Sequence, residues 1–203
     1  NKSEQLLHNI MPKAIADRLK TTNETISIDN PEISVLFADI VNFTVMSEKL
    51  SAEKIVGLLD EMFSKFDDLT EKFGIEKIKT IGDAYMVVTG LTSEEKEHAA
   101  ILFEFGKELI KIASSYSDHK GEPITLRVGI NSGPAVSGVI GKSKFSFDIW
   151  GDIINTAARL ESYGSPGRIH MSSKTFKLIN KKIKHEKRNI EIKGKGFIES
   201  ILI

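Results

Sequence analysis

The 203-residue chain has no cysteine, which excludes a disulfide framework, a thiolate nucleophile and a cysteine-based structural zinc site, and fits a reducing compartment. It also lacks an electrostatic bias. Lys plus Arg number 28 and Asp plus Glu 28, so a polyanion must be selected by locally placed groups, and a generic DNA binder is disfavoured. The five histidines, His8, His98, His119, His170 and His185, are scattered without metal-ligand spacing. No run of 18 apolar residues offers a membrane span, and the first residues lack the three regions of a signal peptide, so the chain reads as soluble. Repeats and low-complexity segments are missing too, and the lysine-rich stretch 181–188 reads as a solvated face. At this length and 40% hydrophobic residues, there is enough apolar side chain for one globular domain with a core.

Leu6, Leu7, Ile10, Met11, Ile15 and Leu19 trace one helical face, with a kink expected at Pro12. That stripe either packs on its own domain or ends a coiled-coil transmitter from an upstream regulatory region. Residues 21–30 are polar and read as a linker, so residues 1–30 form an N-terminal helix and linker, and residues 31–203 the domain proper. Within it the pattern predicts a strand at 33–39, a long helix, a hairpin of 75–80 with 84–89, and a second helix over 94–115. Strands follow at 125–131 and 135–140, joined by Ser132-Gly133-Pro134, then a helix, a short strand, a helix and a final hairpin. The first long helix is the clearest: Ile55, Leu58, Leu59, Met62, Phe63, Phe66, Leu69 and Phe73 repeat at three and four, Ser51 caps its start and Gly74 ends it. The order predicts an α+β fold, a ferredoxin-like β-α-β-β-α-β core with helices on one face and additional C-terminal strands and helices.

Two carboxylates stand at the edges of apolar strands. Asp39 follows Val35-Leu36-Phe37-Ala38, where a strand gives way to a loop, and Asp83 lies in a two-residue Gly-Asp turn that fixes a side chain better than a flexible loop. As a pair they suit Mg²⁺ or Mn²⁺ bound together with substrate phosphates; either one alone is explained more simply as a turn former. Asn155 and Arg159, four apart on a helix, share a face and can converge on one anion, although such a pair is ordinarily exposed surface. Asp148, between Phe147 and Ile149, either points to solvent by alternation or is held for recognition, and Lys79 beside Ile78 poses the same question. Lys193 and Lys195 fall in the glycine-containing turn of the last hairpin, where lysines are commonly solvated and sometimes hold phosphate.

Together these motifs resemble a class III nucleotidyl cyclase catalytic domain of the adenylyl type, over residues 31–203. Phe37-Ala38-Asp39-Ile40 with Phe43-Thr44 is similar to the family's metal and phosphate segment, and Lys79-Thr80-Ile81-Gly82-Asp83 to its hairpin. Asp148-Ile149-Trp150-Gly151 resembles the second base-reading position, Asn155 through Arg159 the transition-state pair, and Lys193 the phosphate lysine. Asn42 departs from the pattern, since many members have Gly there. The helix around Leu6-Leu7-His8-Asn9-Ile10-Met11-Pro12 looks like one that leads from a sensor. The resemblance implies conversion of ATP to 3′,5′-cyclic AMP and pyrophosphate with two divalent ions, Mg²⁺ or Mn²⁺. Metal would be held by Asp39, Ile40 and Asp83, substrate by Lys79, Asp148, Phe43 and Thr44, and the reacting phosphate served by Asn155, Arg159 and Lys193. It further implies a cytoplasmic catalytic domain, a homodimer with shared sites, upstream sensor domains and no nucleic-acid partner. Guanylyl cyclase and a non-catalytic nucleotide-binding module are the alternatives.

Overall fold

Two 15-residue strands, β1 (Ile26–Ile40) and β4 (Leu126–Ile140), form the spine of the molecule, antiparallel from Ile26 opposite Val139 to Ile40 opposite Leu126. The computed structural model describes residues 10–21, 26–91, 96–141 and 145–203. The register slips by one residue between Asn30 and Ile33. Pro31 falls in that bulge and Pro134 faces it, so both prolines sit where the ladder is interrupted. Two expectations are corrected here. Residues 26–30 are paired strand and not linker, and the segments at 125–131 and 135–140 are one strand, because β1 carries the ladder straight past Ser132-Gly133-Pro134.

The chain continues through α1 (Lys13–Thr21), which precedes β1, then α2 (Phe43–Lys49), α3 (Ala52–Phe73), β2 (Glu76–Ile81), β3 (Ala84–Thr89) and α4 (His98–Ala113). After β4 come β5 (Ser146–Trp150), α5 (Asp152–Ser162), β6 (Ile169–Ser172), α6 (Ser173–Ile179), β7 (Glu186–Ile192) and β8 (Gly196–Leu202). Strand order β2-β3-β1-β4 with α3 and α4 as crossovers is the expected ferredoxin-like core, extended by β6-β8-β7, while β5 pairs with the far half of β4. Among the described residues no helix is long and apolar enough to cross a membrane.

The two core helices, α3 and α4, lie on one face of the sheet as expected, and the other face is covered by the N-terminal segment and α5. Leu36, Ala38, Tyr85, Val87, Val128 and Ile130 pack under α3 and α4, against Met62, Phe66, Leu102, Phe105 and Leu109. Their alternates Val35, Phe37, Met86 and Val88 pack against Met11, Ile15 and Ala16 on one side and Ile153 and Ala157 of α5 on the other. That double burial is why β1 reads as an unbroken apolar run. Met11, Ile15 and Leu19 of the N-terminal stripe therefore pack on their own domain, whereas Ile10 is 61% exposed; Leu6 and Leu7 lie outside the described residues. Residues 10 and 11 form turn and bend, and the Pro12 carbonyl accepts from the Ile15 and Ala16 N–H groups, so Pro12 opens a helix and does not kink one. Ser51 accepts from Lys54 N at the start of α3, and Gly74 closes it at φ 67°, as expected. The second long helix is shorter than its pattern, His98–Ala113, with residues 92–95 outside the described set.

Candidate functional site

Asp39 is the next-to-last residue of β1, and Asp83 sits in the turn between β2 and β3. Gly82 takes φ 60° while Asp83 is not left-handed, the pattern of a turn with glycine at its first central position. The turn brings Asp83 Oδ2 to 3.3 Å from the Ile40 N–H, which donates to it. The Ile40 side chain is buried in the core, so only its backbone faces the carboxylates. The Asp83 carboxyl is pushed up to about 7, first by burial and then by the adjacent Asp39 carboxyl, with which it shares a hydrogen bond.

Asp39 and Asp83 are thus two neighbouring carboxyls, one of them partly withdrawn from water, that offer hard oxygen donors to one point. That fits a hard divalent cation. Among the described residues no group of three or more His, Cys, Asp or Glu is arranged for a metal, so an ion here would draw further ligands from backbone and substrate oxygens, as Mg²⁺ usually does.

Arg127 and Glu161 complete this cluster, and sequence reading missed both. Arg127 is the register partner of Asp39 across the β1–β4 ladder. Its Nη2 donates to Asp39 Oδ2 at 3.1 Å and its Nε to Glu161 Oε1 at 3.1 Å. The Glu161 carboxyl is pushed up to about 7 by burial and then by the Asp39 charge, against the pull of Arg127. Each left a signal: Arg127 interrupts the apolar run Leu126 to Ile130, and Glu161 stands where the buried stripe Ala157, Leu160 of α5 should continue.

Phe43 and Thr44 open α2, where the first N–H groups have no intrahelical partner. Asn42 before them adopts φ 59°, ψ 27°. That is the left-handed region that glycine favours and asparagine tolerates, so the departure at this position preserves the backbone path.

Lys79 and Asp148 are brought together. In β5 the neighbours Phe147 and Ile149 are buried, which turns Asp148 to the opposite face. A register slip between Lys77 and Lys79 in β2 aims Lys79 at it. Lys79 Nζ donates to Asp148 Oδ2 at 2.5 Å, and Asp148 Oδ1 accepts from Ile149 N at 2.8 Å.

Helix α5 lies directly on β4, since a Cβ at Gly129 would stand 2.3 Å from Glu161 N. Its outward face presents Asn155 and Arg159, both exposed, one turn apart. In the β7–β8 turn it is Lys195, not Lys193, that is tied to α5, donating to Asp152 Oδ2 and, at 3.1 Å, to Thr156 Oγ1. Lys193 is exposed. Among the described residues, no hydrogen bond or ion pair joins Lys79, Asp148, Asn155, Arg159 or Lys193 to Asp39 or Asp83.

Residues 27–203 match the family model described as adenylate and guanylate cyclase catalytic domain. An adenylate cyclase of Mycobacterium bovis is 40% identical over 202 residues, covering 98% of this chain and 46% of the relative. A receptor-type guanylate cyclase of Caenorhabditis elegans is 35% identical over 210 residues, covering 100% of this chain and 19% of the relative. The chain therefore spans less than half of these proteins. The catalytic core of a rhodopsin-guanylyl cyclase with converted specificity, in complex with ATPαS, superposes with a TM-score of 0.81 at 34% identity, covering 89% of this chain and 98% of that one. With the matched region reaching from the start of β1 to the last residue, the chain belongs to the adenylate and guanylate cyclase catalytic domain family, whose members are class III, metal-dependent nucleotidyl cyclases.

Proposed function

We propose that this chain is an adenylyl cyclase domain that converts ATP to 3′,5′-cyclic AMP and pyrophosphate, in sites completed by a second copy. The observation that carries the choice of ATP is the Lys79–Asp148 pair. Adenine offers an N6 amino donor beside the N1 acceptor, which a lysine donor and a carboxylate acceptor match. Guanine would set its O6 against the carboxylate and its N1 proton against the ammonium, two mismatches costing about 1–3 kcal/mol each. The mycobacterial adenylate cyclase and the ATPαS complex support an adenine reading; the guanylate cyclases among the relatives make guanylyl cyclase the alternative.

Asp39, Asp83 and the Ile40 backbone would hold two divalent ions, Mg²⁺ or Mn²⁺. When bound, such ions lower the pKa of the ribose 3′-hydroxyl and offset phosphate charge. The remaining work falls to the chain's own groups. Backbone N–H groups at Phe43 and Thr44 would cradle phosphate oxygens. Arg159 would stabilise the negative charge that grows on the α-phosphate during in-line attack, and Asn155 one turn away would orient the ribose. Lys193 would offset the charge of departing pyrophosphate; Lys195 is already engaged by Asp152.

Membership of the cyclase catalytic domain family supports a head-to-tail homodimer. One subunit would give Asp39 and Asp83, and the other Lys79, Asp148, Asn155, Arg159 and Lys193, for two equivalent sites. The N-terminal helix would join the domain to upstream sensor or regulatory domains. The deciding experiment is chromatographic product analysis at high protein concentration, with ATP or GTP and Mn²⁺ or Mg²⁺. Cyclic AMP from ATP, abolished by Asp83→Ala, is expected. Cyclic GMP would make this a guanylyl cyclase, and nucleotide binding without product by a confirmed dimer would make it a regulatory module.

A further inference from the structure

Arg127 is shared between two acids that come from different elements, Asp39 on β1 and Glu161 on α5. Stability alone does not account for Glu161. It occupies an inward position of α5, is 8% exposed, and among the described residues its carboxylate receives only Arg127 Nε and Ser162 Oγ. An apolar side chain at that position would bury at lower cost, since a carboxylate withdrawn from water is seldom fully compensated by one partner.

The placement gains a purpose once Asp39 is asked to serve a cation. A divalent ion drawn to Asp39 and Asp83 would compete with the guanidinium for the Asp39 carboxylate, and the two positive charges would repel. Arg127 lies mostly out of water, its side chain 31% exposed. If Asp39 were its sole counter-charge, surrendering it would strand a half-buried cation and so oppose metal entry. The second bond, made through Nε and not through Nη2, survives that surrender without moving the side chain.

We propose that Glu161 is a positioning residue that retains Arg127 beside the metal carboxylates when a divalent cation takes Asp39 from it. The proposal rests on the cyclase reading of Asp39 and Asp83, and goes beyond it by giving a role to a side chain that touches neither metal nor nucleotide. All four residues belong to one chain, so the contact of Glu161 with Arg127 does not depend on how the second half of the site is supplied.

The test reads metal affinity and not turnover: Mn²⁺ is titrated by electron paramagnetic resonance into the chain with 3′-deoxy-ATP, which cannot cyclise. At pH 8 Glu161→Gln, which keeps shape and removes charge, is expected to weaken Mn²⁺ binding by about 3-fold or more, less than the roughly 10-fold that loss of a direct outer partner of a metal ligand commonly costs. In an Arg127→Ala background the same substitution is expected to have little further effect, because Glu161 acts through Arg127. Glu161→Asp should recover part of the loss. A merely structural role would lower the melting temperature and leave Mn²⁺ affinity unchanged, which would overturn the proposal. Equal weakening in both backgrounds would overturn it as well, since Glu161 would then act through its own field. Should Glu161→Gln fail to fold, Glu161→Asp in the two backgrounds carries the same comparison. Failure of the wild-type chain to bind Mn²⁺ would remove the metal reading itself, and with it this role.

Discussion

Lys79 and Asp148, 69 residues apart in the chain, meet with Nζ 2.5 Å from Oδ2, each on a different strand and each turned there by a local feature. The ammonium side chain is 43% exposed and the carboxylate 19%, so the pair stands at the surface of the sheet where a base can reach both heads. If the pair reads the base, exchanging the pattern should exchange the base. The double variant Lys79→Glu with Asp148→Cys is expected to shift the ratio of cyclic AMP to cyclic GMP toward GTP by roughly tenfold or more, the size of one or two repaired polar mismatches. The check is kcat/KM for both nucleotides on the same preparation. An unchanged ratio would remove the base-reading role from these residues.

A homodimer that shares the candidate residues between subunits, as proposed, predicts complementation. Arg159→Ala should lose on the order of 3 kcal/mol of transition-state stabilisation, over a hundredfold in rate, and Asp39→Ala should be nearly inactive through its metal. In a mixture, a heterodimer places the intact Asp39 and Asp83 of one subunit opposite the intact Arg159 of the other, restoring up to one site in two. Activity is therefore expected to rise on mixing two nearly inactive proteins, to at most half of wild type per heterodimer. Mixed dimers isolated with two affinity tags and still inactive would rule out shared sites.

Glu76, at the start of β2, has its carboxyl pushed up to about 7 by burial alone. A carboxyl whose folded pKa lies above its unfolded value of 4.5 binds its proton more tightly in the folded state. Stability from this group is present below about 4.5 and is lost as the pH climbs to about 7. Glu76→Gln should abolish that loss, gaining on the order of 1–2 kcal/mol at pH 8 once partial exposure is discounted, and much less at pH 5. Melting curves of both proteins across that range give the answer: the gap should widen with pH, and a constant gap would mean that Glu76 does not titrate on folding.

The elements that could be read from sequence were those whose partners were local. The long helix α3 announces itself through Ile55, Met62, Phe66 and Leu69, with Ser51 and Gly74 as punctuation, and Asp83 through its glycine turn. What escaped depends on a distant strand. Residues 26–30 look like linker because only Ile26 and Ile28 are apolar, and they become strand because β4 is long enough to pair with them. Ser132-Gly133-Pro134 carries turn chemistry, but β1 overrides it. Arg127 and Glu161 each interrupt an apolar pattern, but their partners emerge only when the ladder sets Arg127 opposite Asp39 and α5 lowers Glu161 onto Arg127. Of the two hairpin lysines, nothing in their spacing tells that Lys195 is the one held by Asp152 and Thr156.

The contact between α5 and β4 sets where Asn155 and Arg159 stand, and glycine at position 129 makes it possible. A Cβ added there would meet Glu161 N at 2.3 Å and Ala157 O at 2.5 Å, backbone atoms that no rotamer change can move aside. The strand cannot yield either, because Gly129 is paired with Phe37 of β1 on one side and His170 of β6 on the other. Gly129→Ala must therefore push the helix off the sheet, costing about 3 kcal/mol or more and displacing the outward pair, so kcat should fall in whatever fraction still folds. Gly57 provides the opposite case: it lies in the exposed interior of α3 with nothing within 4 Å of an added Cβ. There Ala should stabilise by about 0.5–1 kcal/mol through helix propensity. The two substitutions add the same methyl group, so melting temperatures that move in opposite directions would isolate the helix–strand contact as the cause. Two shifts of the same sign would mean that α5 is free to settle elsewhere on the sheet.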